Sequence, residues 1–244
     1  MVAVVIETGE EFAIGDPCLF DIARNQFKPH HFRQCSCVEK KRRQRMFKSS
    51  QIPEKYQAVG FRGFVVDGRP GCVKDARDTA LDYYNRFNDI RSTADNSLLV
   101  VGEPDTGKTH LLMAVANGLM RQDVSVLYFP WVEGMNELKE NLEEVGERTA
   151  IMKTVDVLYI DDLYKGRRTL TDFSREQIYG VINFRYNNRL PMLVSSEYTP
   201  DELFDIDKGI ARRVYEPSRS HRVLMGLTPE EQAEGTILNY NLRA

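Results

Sequence analysis

The residues best suited to chemistry form one glycine-rich segment, Gly102-Glu103-Pro104-Asp105-Thr106-Gly107-Lys108-Thr109, which His110 follows. The segment matches the pattern G-x-x-x-x-G-K-T of the phosphate-binding loop, or Walker A motif. Its glycines let backbone N–H groups close around phosphate oxygens, and the N-terminus of a following helix adds a favourable dipole. Lys108 is expected to reach the β- and γ-phosphates, and Thr109 to bind Mg²⁺. The segment therefore predicts a site for ATP with Mg²⁺.

An apolar run that ends in two acids follows further along the chain, at Val157-Leu158-Tyr159-Ile160-Asp161-Asp162. Behind a phosphate-binding loop, such a run is a Walker B motif. Asp161 is then predicted to hold the Mg²⁺ ion and Asp162 to orient the attacking water. Taken alone, the run would also fit a strand that ends in a solvated acidic turn. Its position behind the glycine-rich segment favours an ATPase.

Two further polar groups stand where an ATPase of this kind uses them. Ser195-Ser196-Glu197 could place Ser196 or Glu197 near the γ-phosphate as a sensor, or it could be an ordinary turn at the end of a strand. Arg212 and Arg213 could supply an arginine finger to the ATP site of a neighbouring copy, or they could form the solvated face of a helix. The residues alone leave both pairs of interpretations open.

The cysteines suggest either a metal site or free thiols. The chain starts without a basic and apolar leader of the secretory kind, so we expect reduced thiols and no disulfides. Cys18, Cys35 and Cys37, with the histidines at positions 30 and 31 nearby, could bind Zn²⁺. The spacing C-x-C differs from the usual C-x₂-C pair, so free thiols remain the alternative. Cys72 stands apart and is predicted to be structural.

Charge is distributed unevenly along the chain. Its 244 residues carry a formal net charge of −3. Nine of the residues from 24 to 48 are Lys or Arg, against the single acid Glu39. Such a run fits a contact with nucleic acid or with an acidic protein surface, or it forms a solvated face. No apolar run approaches the ~20 residues of a membrane-spanning helix, which predicts a cytoplasmic protein.

The elements that must position these groups are predicted from hydrophobic periodicity. Helices are expected at 75–91 and 110–121, along the face Met135, Leu138, Leu142 and Val145, and from a capping box at Ser174-Arg175-Glu176-Gln177. Buried strands are expected at 97–101, 124–129, 155–160 and 191–195, with a fifth at 222–227 or 236–240. This alternation predicts an α/β fold around a mostly parallel sheet. Residues 1–60 lack the pattern, so a boundary is predicted between 60 and 61.

With both phosphate-site motifs placed, the chain resembles the DnaC/DnaI-type helicase loaders, a branch of the AAA+ ATPases. The resemblance runs from about Cys35 to the C-terminus, and its motifs are specific in their order and spacing. They are Cys35-Ser36-Cys37, Ile52-Pro53-Glu54-Lys55-Tyr56, Phe61-Arg62-Gly63-Phe64, Gly107-Lys108-Thr109-His110-Leu111, Leu158-Tyr159-Ile160-Asp161-Asp162-Leu163 and Ile182-Asn183-Phe184-Arg185-Tyr186.

The resemblance implies a P-loop AAA+ domain of three α/β/α layers at residues 61–244, preceded by a small partner-binding region at residues 1–60. It implies that residues 1–60 bind the hexameric replicative DNA helicase, and that the AAA+ domain binds ATP and single-stranded DNA. Together they would place the helicase on DNA when replication begins. ATP hydrolysis is expected to be slow and to be stimulated by DNA or the partner. ATP sites completed between self-assembled copies are also implied.

The resemblance assigns roles to single residues as well. Arg213 is the first choice for the arginine finger and Arg212 the second, and Arg243 resembles the sensor-2 arginine of the family. The cysteine cluster resembles a reduced version of the family's N-terminal metal site. Three departures stand out. Glu197 occupies a position where the family commonly has Asn, and Pro217 one where some relatives carry a further Arg. The N-terminal region is short, and its set of cysteines is incomplete.

Two other functions fit part of the pattern. An IstB-type transposition helper shares the ATPase core but binds duplex DNA and a transposase. The Cys35/Cys37 pair followed by Ile52-Pro53 favours the loader. A nucleotide-dependent adaptor with little hydrolysis would explain Glu197, whose charge repels a γ-phosphate at close range. The expected location is the cytoplasm of a bacterial cell, with the gene on the chromosome or on a phage.

Overall fold

A computed structural model describes residues 2–6, 8, 10–13, 20–21, 26–27, 30–33, 45–166, 169–234, 236 and 238. The chain divides into two compact units, Met1–Arg45 and Met46–Ala244. Residues 46–60, which the sequence pattern grouped with the N-terminal region, therefore fold with the second unit. Cys18, Cys35, Cys37 and Arg243 lie outside the described residues.

The first unit contains short antiparallel strands. The strand β1 (Val2–Val5) pairs with β2 (Glu11–Ala13) and with β5 (His30–Arg33), while β3 (Phe20–Asp21) pairs with β4 (Gln26–Phe27). Sequence periodicity predicts none of these strands, because segments of two to four residues are too short to show alternation.

The second unit alternates helices and strands. Its helices are α1 (Glu54–Gln57), α2 (Gly71–Ile90), α3 (Lys108–Arg121), α4 (Trp131–Glu140), α5 (Val145–Thr154), α6 (Asp172–Asn187), α7 (Pro200–Ile206), α8 (Lys208–Tyr215) and α9 (Pro229–Ala233). Its strands are β6 (Leu98–Gly102), β7 (Val126–Pro130), β8 (Val157–Asp161), β9 (Met192–Ser196) and β10 (Arg222–Met225). Short 3₁₀ turns lie at Phe61–Gly63, Leu142–Glu144 and Glu216–Ser218.

The strands of the second unit form one parallel sheet in the order β10-β6-β9-β8-β7. Both faces of this sheet are covered. Leu98 and Val100 belong to one apolar core with residues of α2 and α3, whereas Leu99 and Val101 belong to a second core with residues of α4, α5, α6 and α8. A strand buried on both faces is apolar throughout, as β6 is. The predicted α/β class with its three layers and mostly parallel sheet is confirmed.

The structure decides between the two predicted positions of the fifth strand and corrects one predicted helix. The fifth strand is Arg222–Met225, which pairs with β6. The single helical face predicted from Met135 to Val145 is wrong, because α4 ends at Glu140 and α5 begins at Val145. Leu142 lies in the 3₁₀ turn between the two helices and is 65% exposed, so its helical spacing does not place it in the core.

The start of α6 also differs from the prediction. The helix begins at Asp172, and its N-cap is Thr171, whose side chain accepts a hydrogen bond from the backbone N–H of Ser174. Ser174 therefore lies inside the first turn and is not the cap.

Within the described ranges, no helix has the length and apolar character needed to cross a lipid bilayer.

The segment after residue 45 is packed against the parallel sheet. The carbonyl oxygen of Ser50 accepts a hydrogen bond from the backbone N–H of Tyr128, in the edge strand β7, at 2.8 Å. The side-chain amide of Asn117, on α3, donates to the carbonyl oxygens of Tyr56 at 2.7 Å and of Val59 at 2.9 Å. These contacts hold the segment close to the helix that follows the glycine-rich loop.

One buried cation, Arg185 of α6, forms hydrogen bonds to the backbone at the end of α5 and just before β8 and β9. Its side chain is fully buried. Its guanidinium donates to five backbone carbonyl oxygens at 2.7 to 3.2 Å, those of Met152, Lys153, Val155, Asp156 and Pro191. Arg185 therefore gives hydrogen-bond donors to carbonyl groups at the end of α5 and before β8, and adds a second donor at the Pro191 carbonyl oxygen, which also accepts from the backbone N–H of Leu158.

Arg185→Ala is expected to lower the free energy of unfolding by about 3 kcal/mol or more, because it leaves buried carbonyl groups unpaired and opens a cavity. Urea unfolding followed by circular dichroism measures the change. Arg86→Ala is the matched control: Arg86 is exposed on α2, it pairs with Asp82, and its loss should change stability by less than about 0.5 kcal/mol. An Arg185→Ala chain as stable as the wild type would contradict this role.

Candidate nucleotide-binding site

The glycine-rich loop joins the end of β6 to the start of α3. Gly107 is the N-cap of α3 and has φ of 103°, in the region that favours glycine. Gly102 has φ of 144°, and a Cβ atom at this position would overlap the carbonyl oxygen of Met225 in β10. Both glycines are therefore required by the backbone path. The predicted strand–loop–helix context of the motif is present.

The Lys108 side chain is folded over this loop. Its ammonium donates to the carbonyl oxygens of Gly102 at 2.9 Å and of Glu103 at 2.6 Å, and the residue is only 5% exposed. Burial lowers the pKa of Lys108, while the carboxylates of Asp162 and Glu197 act in the opposite direction. The hydrogen-bond partners of this ammonium are therefore two neutral carbonyl groups of the loop.

Four hydroxyl groups surround the carboxylate of Asp161, at the end of β8. Thr109 donates to its two oxygens at 3.1 Å each, Tyr128 at 3.1 Å, Tyr159 at 2.8 Å and Ser195 at 2.6 Å. Burial raises the pKa of Asp161, and the hydrogen bonds from the hydroxyl groups lower it. The cluster fixes the carboxylate beside the Thr109 hydroxyl, so the two motifs meet at this point.

The second acid, Asp162, is held by an ammonium group. Lys165 contacts Asp162 Oδ2 and Glu197 Oε1, each at 2.8 Å. Burial lowers the pKa of Lys165, but its hydrogen bonds to the two carboxylates outweigh this effect and raise the pKa. The backbone N–H of Asp162 donates to the Ser195 hydroxyl at 2.8 Å. By contrast, the buried Ser196 hydroxyl donates to the carbonyl oxygen of Leu163 at 2.8 Å.

The charged groups among these, with Thr109 and Tyr128, line one cavity of about 890 Å³. This volume lies within the range of ligand sites in proteins, ~300–1,000 Å³. The cavity is bounded by the phosphate-binding loop, the ends of β7 and β8, and the segment from residue 53 to 69. Its lining includes Tyr56, Phe64, Arg69, Asp105, Gly107, Lys108, Thr109, His110, Tyr128, Trp131, Asp161, Asp162, Lys165 and Glu197.

The predicted nucleotide-binding residues divide into two groups. Five of them line the cavity: Asp105, Gly107, Lys108, Thr109 and His110. The remaining three, Gly102, Pro104 and Thr106, shape the loop. The carbonyl oxygen of Thr106 accepts a hydrogen bond from Arg69 at 2.7 Å, which ties the loop to the segment before α2.

His110 is placed to contact a ligand in this cavity. Its ring packs edge-on against Phe64, with the ring centroids 5.6 Å apart. Its Nε2 atom is buried and has no hydrogen-bond partner within the part of the chain that the structure describes. A polar atom of this kind at the cavity wall is suited to a polar group of a bound nucleotide.

The two candidate finger arginines lie on α8, and neither is among the residues that line the cavity of its own chain. Arg213 donates from Nε to Asn183 Oδ1 and from Nη1 to the Gly209 carbonyl oxygen, both at 2.8 Å, and its guanidinium lies 4.9 Å from the ring centroid of Tyr179. Arg212 is exposed and donates to Glu216 at 2.7 Å. Arg213 thus has more contacts within the chain than Arg212 has.

Sequence reasoning missed Tyr128 and Lys165 at this site. Tyr128 lies directly opposite Tyr159 in the register of β7 and β8, so both hydroxyl groups reach the same carboxylate. A tyrosine at equivalent places in two apolar strands is the signal that could have identified the pair. Lys165 gave no such signal, because its role depends on a turn after β8. Among the described residues, no cluster of three or more His, Cys, Asp or Glu side chains could hold a metal.

The fold and the glycine-rich loop define a P-loop domain of the AAA+ class. The family model of the bacterial DnaA ATPase domain matches residues 75–216, so the chain belongs to this family. Its relatives in Bacillus subtilis (strain 168) include YqaM, 39% identical over 220 residues that cover 88% of this chain and 70% of YqaM. The phage-like element PBSX protein XkdC is 38% identical over 78% of this chain and 73% of its own length.

The replicative helicase loader DnaI of the same organism is 32% identical over 127 residues, which cover 50% of this chain and 39% of DnaI. Among solved structures, the DnaC helicase loader has a TM-score of 0.61 at 21% identity, over 70% of this chain and 99% of that one. A DnaI structure has a TM-score of 0.58 at 23% identity, over 71% of this chain and 94% of that one. The resemblance to DnaC/DnaI-type AAA+ proteins is confirmed.

Proposed function

We propose that this protein is an ATP-dependent helicase loader, which binds the hexameric replicative DNA helicase and single-stranded DNA and places the helicase on DNA when replication begins. The observation that carries the proposal is the meeting of Lys108, Thr109, Asp161 and Asp162 in one nucleotide-sized cavity. Its support in the family is the relationship to DnaI and the likeness in fold to the DnaC helicase loader.

The residues at the cavity fit an Mg²⁺ ion. The Thr109 hydroxyl and both carboxylate oxygens of Asp161 lie within 3.1 Å of one another and present the oxygen ligands that Mg²⁺ prefers. When bound with ATP, the ion would neutralise charge on the β- and γ-phosphates. Tyr128, Tyr159 and Ser195 keep the Asp161 carboxylate in place for that task.

The remaining roles fall to charged side chains. Lys108 binds the β- and γ-phosphates after it leaves the carbonyl groups of the loop, and Asp162 orients the attacking water. Arg213 of a neighbouring copy stabilises the charge of the transition state in self-assembled protein. In the structure Asp162 is held by Lys165, which supports slow hydrolysis in the absence of a partner or DNA.

The partner contacts are assigned to different parts of the chain. Residues 1–60, with their basic stretch at 24–48, grip the helicase, and the ATPase domain binds single-stranded DNA. A cytoplasmic location in a bacterium follows from this function, and the relationship to XkdC supports a phage-type gene. The ion pair of Lys165 with Asp162 also favours a second candidate, an adaptor that binds ATP but hardly hydrolyses it.

The test is to mix the full chain with the replicative helicase of its host or phage, with ATP, and to weigh the products by native mass spectrometry. We expect a helicase complex of defined stoichiometry in this mixture. Adding single-stranded DNA should raise the rate of ATP hydrolysis, whereas an adaptor would show no such rise. If the folded protein forms no complex, the loader proposal fails, and a transposase on duplex DNA becomes the next partner to test.

A further inference from the structure

The nucleotide cavity contains an apparent conflict of charge. Glu197 follows β9 and lines the cavity that the γ-phosphate of ATP would enter. A carboxylate there repels a terminal phosphate. The structure places Lys165 against this carboxylate, with Nζ 2.8 Å from Glu197 Oε1. The charge of Glu197 is therefore offset by a cation that also lines the cavity.

The same ammonium group holds Asp162, the predicted water-orienting residue. Its Nζ lies 2.8 Å from Asp162 Oδ2, so one cation serves two carboxylates. The side chain of Lys165 is 45% exposed, against 23% for Asp162 and 21% for Glu197. The lysine is thus the most accessible of the three groups to an anion that enters the cavity.

The turn that carries Lys165 is firmly anchored. The backbone N–H of Lys165 donates to the carbonyl oxygen of Asp162 at 2.9 Å. The backbone N–H of Leu163 donates to the carbonyl oxygen of Ser195 at 2.8 Å. Tyr164 is fully buried, and its ring packs edge-on against Trp131 at 5.3 Å between centroids. With its backbone fixed in this way, Lys165 can change partners through rotation of its long side chain alone.

We propose that Lys165 recognises the terminal phosphate of ATP, and that this recognition releases Asp162 for its task. Without a triphosphate, Lys165 bridges Asp162 and Glu197. With ATP bound, the ammonium moves to a γ-phosphate oxygen, retains Glu197 as its anchor and frees the Asp162 carboxylate to accept a hydrogen bond from water. ADP offers no γ-phosphate, so the bridge persists. This inference rests on the proposed nucleotide site.

The simpler alternative is that Lys165 only neutralises Glu197. The two roles differ in a double-mutant cycle, because a glutamine at position 197 leaves nothing to neutralise. If Lys165 binds the phosphate directly, its loss must still weaken ATP binding in the Glu197→Gln chain. If it only offsets the acid, its loss has no effect there.

The experiment measures dissociation constants of ADP and of the non-hydrolysable analogue AMPPCP, with Mg²⁺, by calorimetry on the full chain. The variants are Lys165→Met, Glu197→Gln and the double substitution. Lys74→Met is the matched control, since Lys74 is an exposed lysine of α2 paired with Asp78. Melting temperatures show that each variant is folded.

We expect Lys165→Met to weaken AMPPCP binding about tenfold or more, in both the wild-type and the Glu197→Gln chain, and to leave ADP binding unchanged. Lys74→Met should alter neither. An equal loss for ADP and AMPPCP, or no loss in the Glu197→Gln chain, overturns the inference while the nucleotide site stands. A wild-type chain that binds neither nucleotide overturns the proposed function itself, and the inference with it.

Discussion

Lys108→Ala is expected to abolish ATP binding, or to lower turnover by at least ~10²-fold, because it removes the cation that meets the phosphate oxygens. The side chain is buried and bonds only to loop carbonyl groups in the described structure, so its loss should change the fold little. Nucleotide binding measured by calorimetry and phosphate release measured in a coupled assay give the result.

The same variant tests the division of labour between the two parts of the chain. If residues 1–60 hold the helicase, Lys108→Ala should still bind it in the absence of nucleotide. Lys74→Ala, on the exposed face of α2, is the control that should keep both properties. A Lys108→Ala chain that binds and hydrolyses ATP normally would refute the site, and one that is folded but loses the helicase would refute the division.

Arg213→Ala is expected to lower the turnover of the self-assembled protein by ~10³-fold or more while nucleotide binding is retained, since a finger acts on the transition state from the neighbouring copy. Asn183, Gly209 and Tyr179 hold its guanidinium in a fixed orientation, as a finger requires. Arg212→Ala is the matched control. Arg212 is exposed and paired with Glu216, and its loss should have little effect on turnover.

Mixing two inactive variants separates a finger from a structural arginine. Lys108→Ala lacks a working ATP site but keeps Arg213, and Arg213→Ala has the opposite defect. Mixed assemblies should therefore contain some complete sites and recover part of the wild-type turnover. If the mixture stays inactive although both variants assemble, Arg213 does not act across the interface. If Arg212→Ala is the inactive single variant, the assignment moves to Arg212.

Much of this fold is evident from sequence because the strands of the parallel sheet are buried on both faces. Val157 to Ile160 form one apolar run next to two acids, and the run ends where the sheet ends. The phosphate-binding loop is equally clear, since its glycines adopt positive φ angles that other residues disfavour. Local patterns of this kind need no knowledge of distant contacts.

The errors have two causes. Some are local: Leu142 has helical spacing but lies in an exposed turn, and the cap of α6 is Thr171, three residues before Ser174. Another arises where a contact distant in sequence decides the outcome. Lys165 stands in a loop whose three-dimensional path brings its ammonium to Asp162 and Glu197. No spacing rule connects residue 165 to residue 197, because that proximity results from the order of strands in the sheet.

The contact of Ser50 with β7 restricts how copies of this protein can associate. An edge strand with free N–H groups is a template on which a strand of another chain can be added. At Tyr128 that position is already taken by the Ser50 carbonyl oxygen. A second chain that extended the sheet at this edge would first have to displace the segment around Ser50. Strand addition at the β7 edge is thereby disfavoured.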